Sequence, residues 1–345
     1  MASALDDPTS RGLPPPLVDP ADIIPGGPPP DGIPALDRPT FERASAAGWL
    51  TDREPVLALR LGGEDRAYPI QILLWHEIVN DTVGGVPVVV TYCPLCNSAL
   101  AFERRAGGKV LDFGTSGKLY QSALVMYDRQ TESLWSQFMG QAITGVLTGT
   151  TLESLPVSLV SWSEWRGANP QGWVLSRRTG FDRPYGRNPY VGYDTPDDDP
   201  FLFRGRPDLK LPPKTRAVGV GHGDDAVAVV AEALQGRRVI EVDIGARRVV
   251  VWMKPGAASA VDTGEIREGR DVGQTGVFEV EVDGTALSFE PAGDGFRDVQ
   301  TGTVWDVFGR GTKGPLAGRE LRPVPHVDTF WFAWAAFRPH TRIIG

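Results

Sequence analysis

GQAITGVLTGTTLESLPVSLVSWSEWRGANP, residues 140–170, returns as GRGTKGPLAGRELRPVPHVDTFWFAWAAFRP at residues 309–339, at a constant offset and without a gap. Both stretches carry the skeleton G-x4-G-x-L-x-G-x2-L-x3-P-x5-W-x2-W-x4-P. It pairs Gly145 with Gly314, Leu152 with Leu321, Pro156 with Pro325, Trp162 with Trp331 and Trp165 with Trp334. Just upstream, Asp128, Thr131, Ser133 and Trp135 match Asp298, Thr301, Thr303 and Trp305. Glycines and tryptophans repeating in one register are not a compositional accident, and they predict duplication of a whole lobe.

Working outward, the match weakens but stays legible. VLALRLGGEDRAYPIQILL resembles AVGVGHGDDAVAVVAEALQ, and VNDTVGGVPVVV resembles IEVDIGARRVVV. Each lobe then reads as a strand, a short helix opening near Pro69 or its counterpart, and a β-hairpin, with further alternating runs such as KVLDF and ALSFE. With 41 Gly and 30 Pro in 345 residues, short strands and turns are favoured over long helices. The expected fold class is mainly β (α+β): two tandem β-rich lobes with short helices and a long strap between them.

Four segments follow. Residues 1–40 hold 11 prolines and read as an extended arm, wrapped on the surface or disordered. The first lobe spans 41–179, the strap 180–213 and the second, degenerate lobe 214–345. The strap lacks any helical or strand period. Its aromatics, Tyr185, Tyr190, Tyr193, Phe201 and Phe203, favour an ordered segment packed across the lobes.

A net charge of −8 argues against nucleic acid and anionic membranes as partners, because both demand basic patches. No apolar run reaches the length of a membrane span. The opening MASALDDPTSRGLPPP has neither the basic nor the apolar part of a secretory signal, so the expectation is a cytoplasmic protein, or one whose export signal lies outside this sequence. Oligomeric state is not legible.

Chemistry concentrates in PVVVTYCPLCNSALAFER. Cys93 and Cys96, the chain's two cysteines, sit in a tight turn after a buried strand. Two sulfurs so spaced converge on one point, which suits a soft metal ion or a reversible disulfide. The alternative is a pair of small buried residues without function. Aligning VVVTYCPLC with VVVWMKPGA sets Lys254 at Cys93 and Ala257 at Cys96, and predicts that the turn survives without its sulfurs. Of four histidines, His76, late in the predicted helix before the hairpin, would complete a Cys2His set with an open position. A histidine favoured by the helix C-terminus is the competing reading. His326 could face the first lobe across a pseudo-twofold interface, though a structural role is favoured. Tyr92, Tyr120, Met126 and Gln137 are expected around the sulfurs, whereas Trp135 and Asp128, shared by both lobes, read as structural. A closed zinc site fits poorly because four ligands are hard to assemble. Phosphate-loop, nucleophile-elbow and zincin motifs are missing.

TYCPLCNSALAF, LDFGTSGKLYQSALVMYD, SLWSQFMGQAITG, LPVSLVSWSEW and PYGRNPYVGYD together resemble the bacterial domain-of-unknown-function family 3179 over roughly residues 45–344. The resemblance supplies no reaction. It implies that Cys93 and Cys96 are the family's hallmark and that relatives are often exported, from which this chain departs. The expectation is a redox enzyme that binds copper through Cys93 and Cys96, with His76 as third ligand, and acts on a small molecule. The alternatives are metal-free thiol–disulfide chemistry at the same pair, and a non-catalytic metal-binding or scaffold protein; zinc or no cofactor are the alternatives to copper.

Overall fold

The computed structural model describes residues 3–345, and the fold is mainly β. Four α-helices interrupt the strands among these residues, each seven residues long: α1 (Ile70–His76), α2 (Trp162–Ala168), α3 (Ala231–Arg237) and α4 (Trp331–Phe337). Helices this short are not stable alone; they persist because their apolar side chains are buried against sheets. In α1, six of the seven side chains are buried.

The sheet that carries the cysteines is antiparallel, in the order Glu153–Leu155, Ser98–Glu103, Val86–Cys93, Ile78–Val83. Gly84 and Gly85 close its first hairpin at φ of 55° and 80°. Two consecutive positive φ values are what a two-residue hairpin turn of matching twist requires, hence the Gly-Gly. That turn fixes the register, with Val83 opposite Val86 and Ile78 opposite Thr91. Val88, Val89 and Val90 are all fully buried, so this strand is covered on both faces and reads as a continuous apolar run.

Several positions matched in sequence lie on elements of the same kind. Trp162 and Trp331 each open a seven-residue helix. Asp128 accepts from the Trp135 indole at 2.9 Å, and Asp298 from Trp305 at 3.0 Å. Gly145 and Gly314 share φ of 118° and 117°. A Cβ on either would meet the Cα of Ser133 or Thr303 at 2.5 or 2.8 Å, which explains the recurrence of glycine. The strand before each helix also packs on the other lobe: Ser158–Ser161 lies against Gln274–Glu279, and His326–Phe330 against Ser98–Glu103.

One expectation is corrected. Val86–Cys93 and Arg247–Lys254 are equivalent eight-residue strands, but the turn after them is not shared. In the first lobe residues 94–97 close a tight hairpin, with Cys93 opposite Ser98. In the second lobe Lys254 pairs with Gln274, and residues 255–273 make a long excursion whose arms stay bridged at Ala258 and Asp271. Asn97 closes the first turn at φ 52°, a conformation asparagine tolerates better than most residues, and the second lobe offers no equivalent closure. Lys254 and Ala257 therefore do not sit on the cysteine turn with its sulfurs removed.

The proline-rich arm lies on the first lobe, apart from its first two residues, which are outside the described range. Ile23–Pro25 pairs with Lys118–Tyr120, and the Leu36 amide donates to Ile78 at 2.9 Å. The strap is anchored on the second lobe by Asp194, a buried carboxylate that pairs with Arg216 at 2.9 Å and Arg270 at 2.8 Å.

Candidate functional site

Cys93 ends its strand and Cys96 sits two residues further round the turn than Pro94, so the backbone brings the sulfurs to 3.5 Å. Both are free thiols and both are buried. The turn is clamped from the second lobe: the Phe330 amide donates to the Cys96 carbonyl at 3.0 Å, and the Thr329 hydroxyl to the same oxygen at 2.9 Å. The thiol turn thus forms one body with the strand leading into α4.

The two thiols are not equivalent. Burial pushes the Cys93 thiol up, but donors outweigh it: the Cys96 thiol and the backbone amides of Cys96, Leu124 and Leu95 hold Cys93 below the ordinary thiol range. Cys96 is raised well above that range, by burial first and then by its neighbour Cys93. Cys93 is the sulfur disposed to ionise. Cys96 is the one that keeps its proton.

Glu77 is the residue that sequence reasoning missed. It caps α1 at φ 56°, its amide donates to Leu73 and its carbonyl accepts from Tyr92 at 2.8 Å. Its carboxyl is raised well above the usual range, by burial and then by the proximity of Cys93. The signal was available: a hairpin closing at Gly84-Gly85 sets Ile78 against Thr91, so residue 77 must lie beside residue 92. Beside Glu77 lies a cavity of about 260 Å³, walled also by Leu95 of the turn, Leu124, Tyr190 and Phe201. Tyr190 is itself raised, by burial and then by Glu77 and Cys93, and brings the strap into the wall of this cavity.

The other expected residues divide. Gln137 belongs to the site: its amide donates to Thr91 Oγ1 at 2.9 Å and to the Ser98 carbonyl at 3.2 Å, and it accepts from Ser98 Oγ at 3.1 Å. Ser98 pairs with Cys93 where the hairpin opens into the turn, so Gln137 braces the strand ends that carry the thiols. Tyr92 braces the turn by donating to Asn97 Oδ1 at 3.1 Å. Met126 is buried in its strand two residues past Leu124, opposite Trp135. Tyr120 packs edge-on against Phe337 at 5.8 Å, a contact of the lobe junction.

His76 is not brought to the sulfurs. Its Nδ1 donates to the Pro34 carbonyl at 2.7 Å, which leaves Nε2 to accept from the Tyr185 hydroxyl at 2.6 Å. Both nitrogens are committed to the arm and the strap, and burial lowers the imidazole to about 4. His326 lies three residues along the strand from Thr329, roughly 10 Å from the clamp. Its Nδ1 donates to Val324 at 2.9 Å. Among the described residues, no three His, Cys, Asp or Glu side chains are grouped to hold one metal ion. Nor is any helix there long and apolar enough to cross a membrane.

A mainly β protein with a buried dithiol turn and an adjoining buried carboxyl is the class these observations define. Residues 30–341 match the family described as a protein of unknown function (DUF3179), and the chain belongs to that family. Neither the curated proteins nor the solved structures give a match to it.

Proposed function

We propose that the Cys93–Cys96 pair is a two-electron thiol–disulfide centre acting on a small molecule. The observation that carries this reading is the asymmetric pair itself: sulfurs 3.5 Å apart, three backbone amides and a thiol directed at one of them, and Glu77 alongside. Closing the bond asks the sulfurs to approach to about 2.05 Å, which the hairpin can absorb by side-chain rotation. With a small disulfide as oxidant, Cys93 thiolate attacks one sulfur and forms a mixed disulfide. Glu77, protonated because its carboxyl is raised, gives its proton to the departing thiolate. Its carboxylate then takes the proton of Cys96, whose sulfur attacks Cys93 and releases the second thiol. Two electrons pass to the substrate; the first departing thiolate is protonated by Glu77 and the second by the proton of the Cys93 thiol. Burial of both sulfurs favours a small substrate, entering by the 260 Å³ cavity that Glu77 and Leu95 line, over a protein disulfide.

The test uses metal-free protein in chelator, with hydroxyethyl disulfide as probe. Wild type should pass from two alkylatable thiols to none and release two equivalents of mercaptoethanol. Cys96→Ser should stop at the mixed disulfide, and Cys93→Ser should not react. Two thiols that stay reduced in folded protein would sink the reading.

A copper reading is favoured by one observation, the convergence of two sulfurs with no third ligand. Two thiolates suit a low-coordinate copper(I) ion, whereas zinc would lack two of its four ligands. In that case the ion would be held by Cys93 and Cys96 alone. Copper(I) should protect both thiols from alkylation in wild type, and in neither serine variant.

A further inference from the structure

A second cavity, of about 420 Å³, opens where the lobes meet, away from the cysteines. Its apolar walls come from both lobes: Leu100, Phe102 and Phe138 on one side, Ile244, Val324 and Trp334 on the other. The ionisable side chains that line it are Arg247, Arg338, His222 and His326, and no Asp or Glu is among them. In a chain of net charge −8, a cavity without an acidic wall residue is a local reversal of sign.

Arg338 makes that reversal specific. It follows α4, lies with its guanidinium 5.8 Å from the Trp334 ring, and donates through Nη1 to the carbonyl of its neighbour Phe337 at 2.8 Å. Its Nε is shielded from solvent and has no partner, and no carboxylate lies within ion-pairing distance among the described residues. Capping the end of α4 accounts for one N–H of the fork and leaves the others unused. A mostly buried cation without a counter-ion is costly, and elsewhere this protein supplies one: Asp194 takes both Arg216 and Arg270. A second orphan stands in the same wall, since His326 has given Nδ1 to Val324 and its Nε2 is buried without a partner.

We propose that this cavity binds a small organic anion, a carboxylate on an apolar or aromatic body, with Arg338 as its counter-ion. The planar fork of arginine matches a carboxylate, the aromatic walls take the apolar body, and the volume lies in the range of small-molecule sites. The site is separate from the thiol centre, because neither Glu77 nor any residue of the turn 93–97 lines it.

Titration calorimetry on the full chain decides it, with 4-phenylbutyrate as probe and 4-phenylbutanamide and 4-phenylbutylamine as controls of like shape. The carboxylate should bind at least about tenfold tighter than the amide, and the amine should not bind. Arg338→Gln should lose that preference and leave the thermal midpoint of the free protein unchanged or raised. Should Arg338→Gln fail to fold, Ser154→Glu, which adds an acid to the exposed rim of the same cavity, should weaken the carboxylate and spare the amide. Equal binding of carboxylate and amide, unaltered binding by either folded variant, or no binding of the carboxylate at millimolar concentration would overturn the proposal.

Discussion

The helix-to-hairpin corner occurs twice in this molecule, and its two versions differ in what the backbone carries. In the first lobe α1 ends at Glu77, whose carbonyl accepts from the Tyr92 amide at 2.8 Å. In the second α3 ends at Arg238, whose carbonyl accepts from the Met253 amide at 2.9 Å. Both caps have positive φ, 56° and 64°, a conformation that costs a non-glycine residue roughly 1 kcal/mol or more. Because both lobes accept that cost, the strain belongs to the fold and not to the thiol site. The side chains then diverge. Glu77 lies by the Cys93 thiol, whereas Arg238 donates to the carbonyls of Gly293 and Gly295. Where the first strand ends in Cys93, the second ends in Lys254, a buried amine held by Glu164 and Asp294, each at 2.7 Å. Glu164 belongs to the first lobe, so Lys254 ties the lobes together. One corner holds two thiols and a carboxyl, and the other holds ions that tie the lobes together.

The largest effect expected from breaking this contrast is at His76, one residue before the cap. Its counterpart Arg237 is exposed, while His76 is fully buried and neutral between Pro34 and Tyr185. A histidine lowered to about 4 contributes stability above its unfolded value of about 6.5, and that contribution is lost as pH falls towards 4. Wild type should therefore lose up to about 3 kcal/mol over that window from this residue. His76→Gln, measured by urea denaturation at pH 7 and pH 4.5, should show a flatter acid limb. An unchanged acid limb would mean that the imidazole is not held neutral.

Glu77→Gln sharpens the contrast at the cap itself. A carboxyl raised by burial and by Cys93 favours folding below its unfolded value of about 4.3, and that advantage is lost as pH rises through its folded value. The uncharged amide should thus be more stable than wild type at pH 8 and no more stable at pH 4. It should also slow the proton-dependent closing of the mixed disulfide. Greater stability with undiminished closing would remove Glu77 from the chemistry and leave it as a buried acid.

How much of this was legible follows from the range of each interaction. The mainly β class was readable because Val-rich runs, glycines and prolines act locally. The cysteine pair was readable because three positions of chain suffice to converge two sulfurs. Glu77 was not read because its link to Cys93 passes through a hairpin register; the adjacent His76 drew the inference as the more familiar ligand. The shared turn was misread for a related reason. VVVWMKPGA matches VVVTYCPLC residue by residue, but a turn is decided by where the chain rejoins the sheet, at Ser98 in one lobe and at Gln274 in the other. The strap tyrosines were recognised as packing residues, yet Tyr190 shares a cavity wall with Glu77 and Leu95, about a hundred residues away and beyond any local pattern.

The smallest effect is expected at Lys254, although it is the most buried lysine of an ion pair here. Replacing a buried ion by an apolar residue of like length commonly changes stability little, because the desolvation cost disappears with the attraction. The two acids that Lys254→Met would leave behind, Glu164 and Asp294, are partly or largely exposed, so water can take over their solvation. The predicted change at pH 7 is therefore about 1 kcal/mol or less. Its pH dependence is the sharper readout. Burial lowers the amine, but the bonds to Asp294 and Glu164 outweigh it and the group is raised. Its contribution is thus fully present below the unfolded value of about 10.4 and is lost as pH rises through the folded one. Wild type minus Lys254→Met should be flat from pH 7 to 10 and fall above it, whatever the buried tyrosines common to both proteins contribute. A difference of several kcal/mol at pH 7 would show instead that the second corner is the principal weld between the lobes. In that event the first corner keeps its thiols buried only because Lys254 holds the halves shut, and the variant should expose Cys93 and Cys96 to alkylation as well.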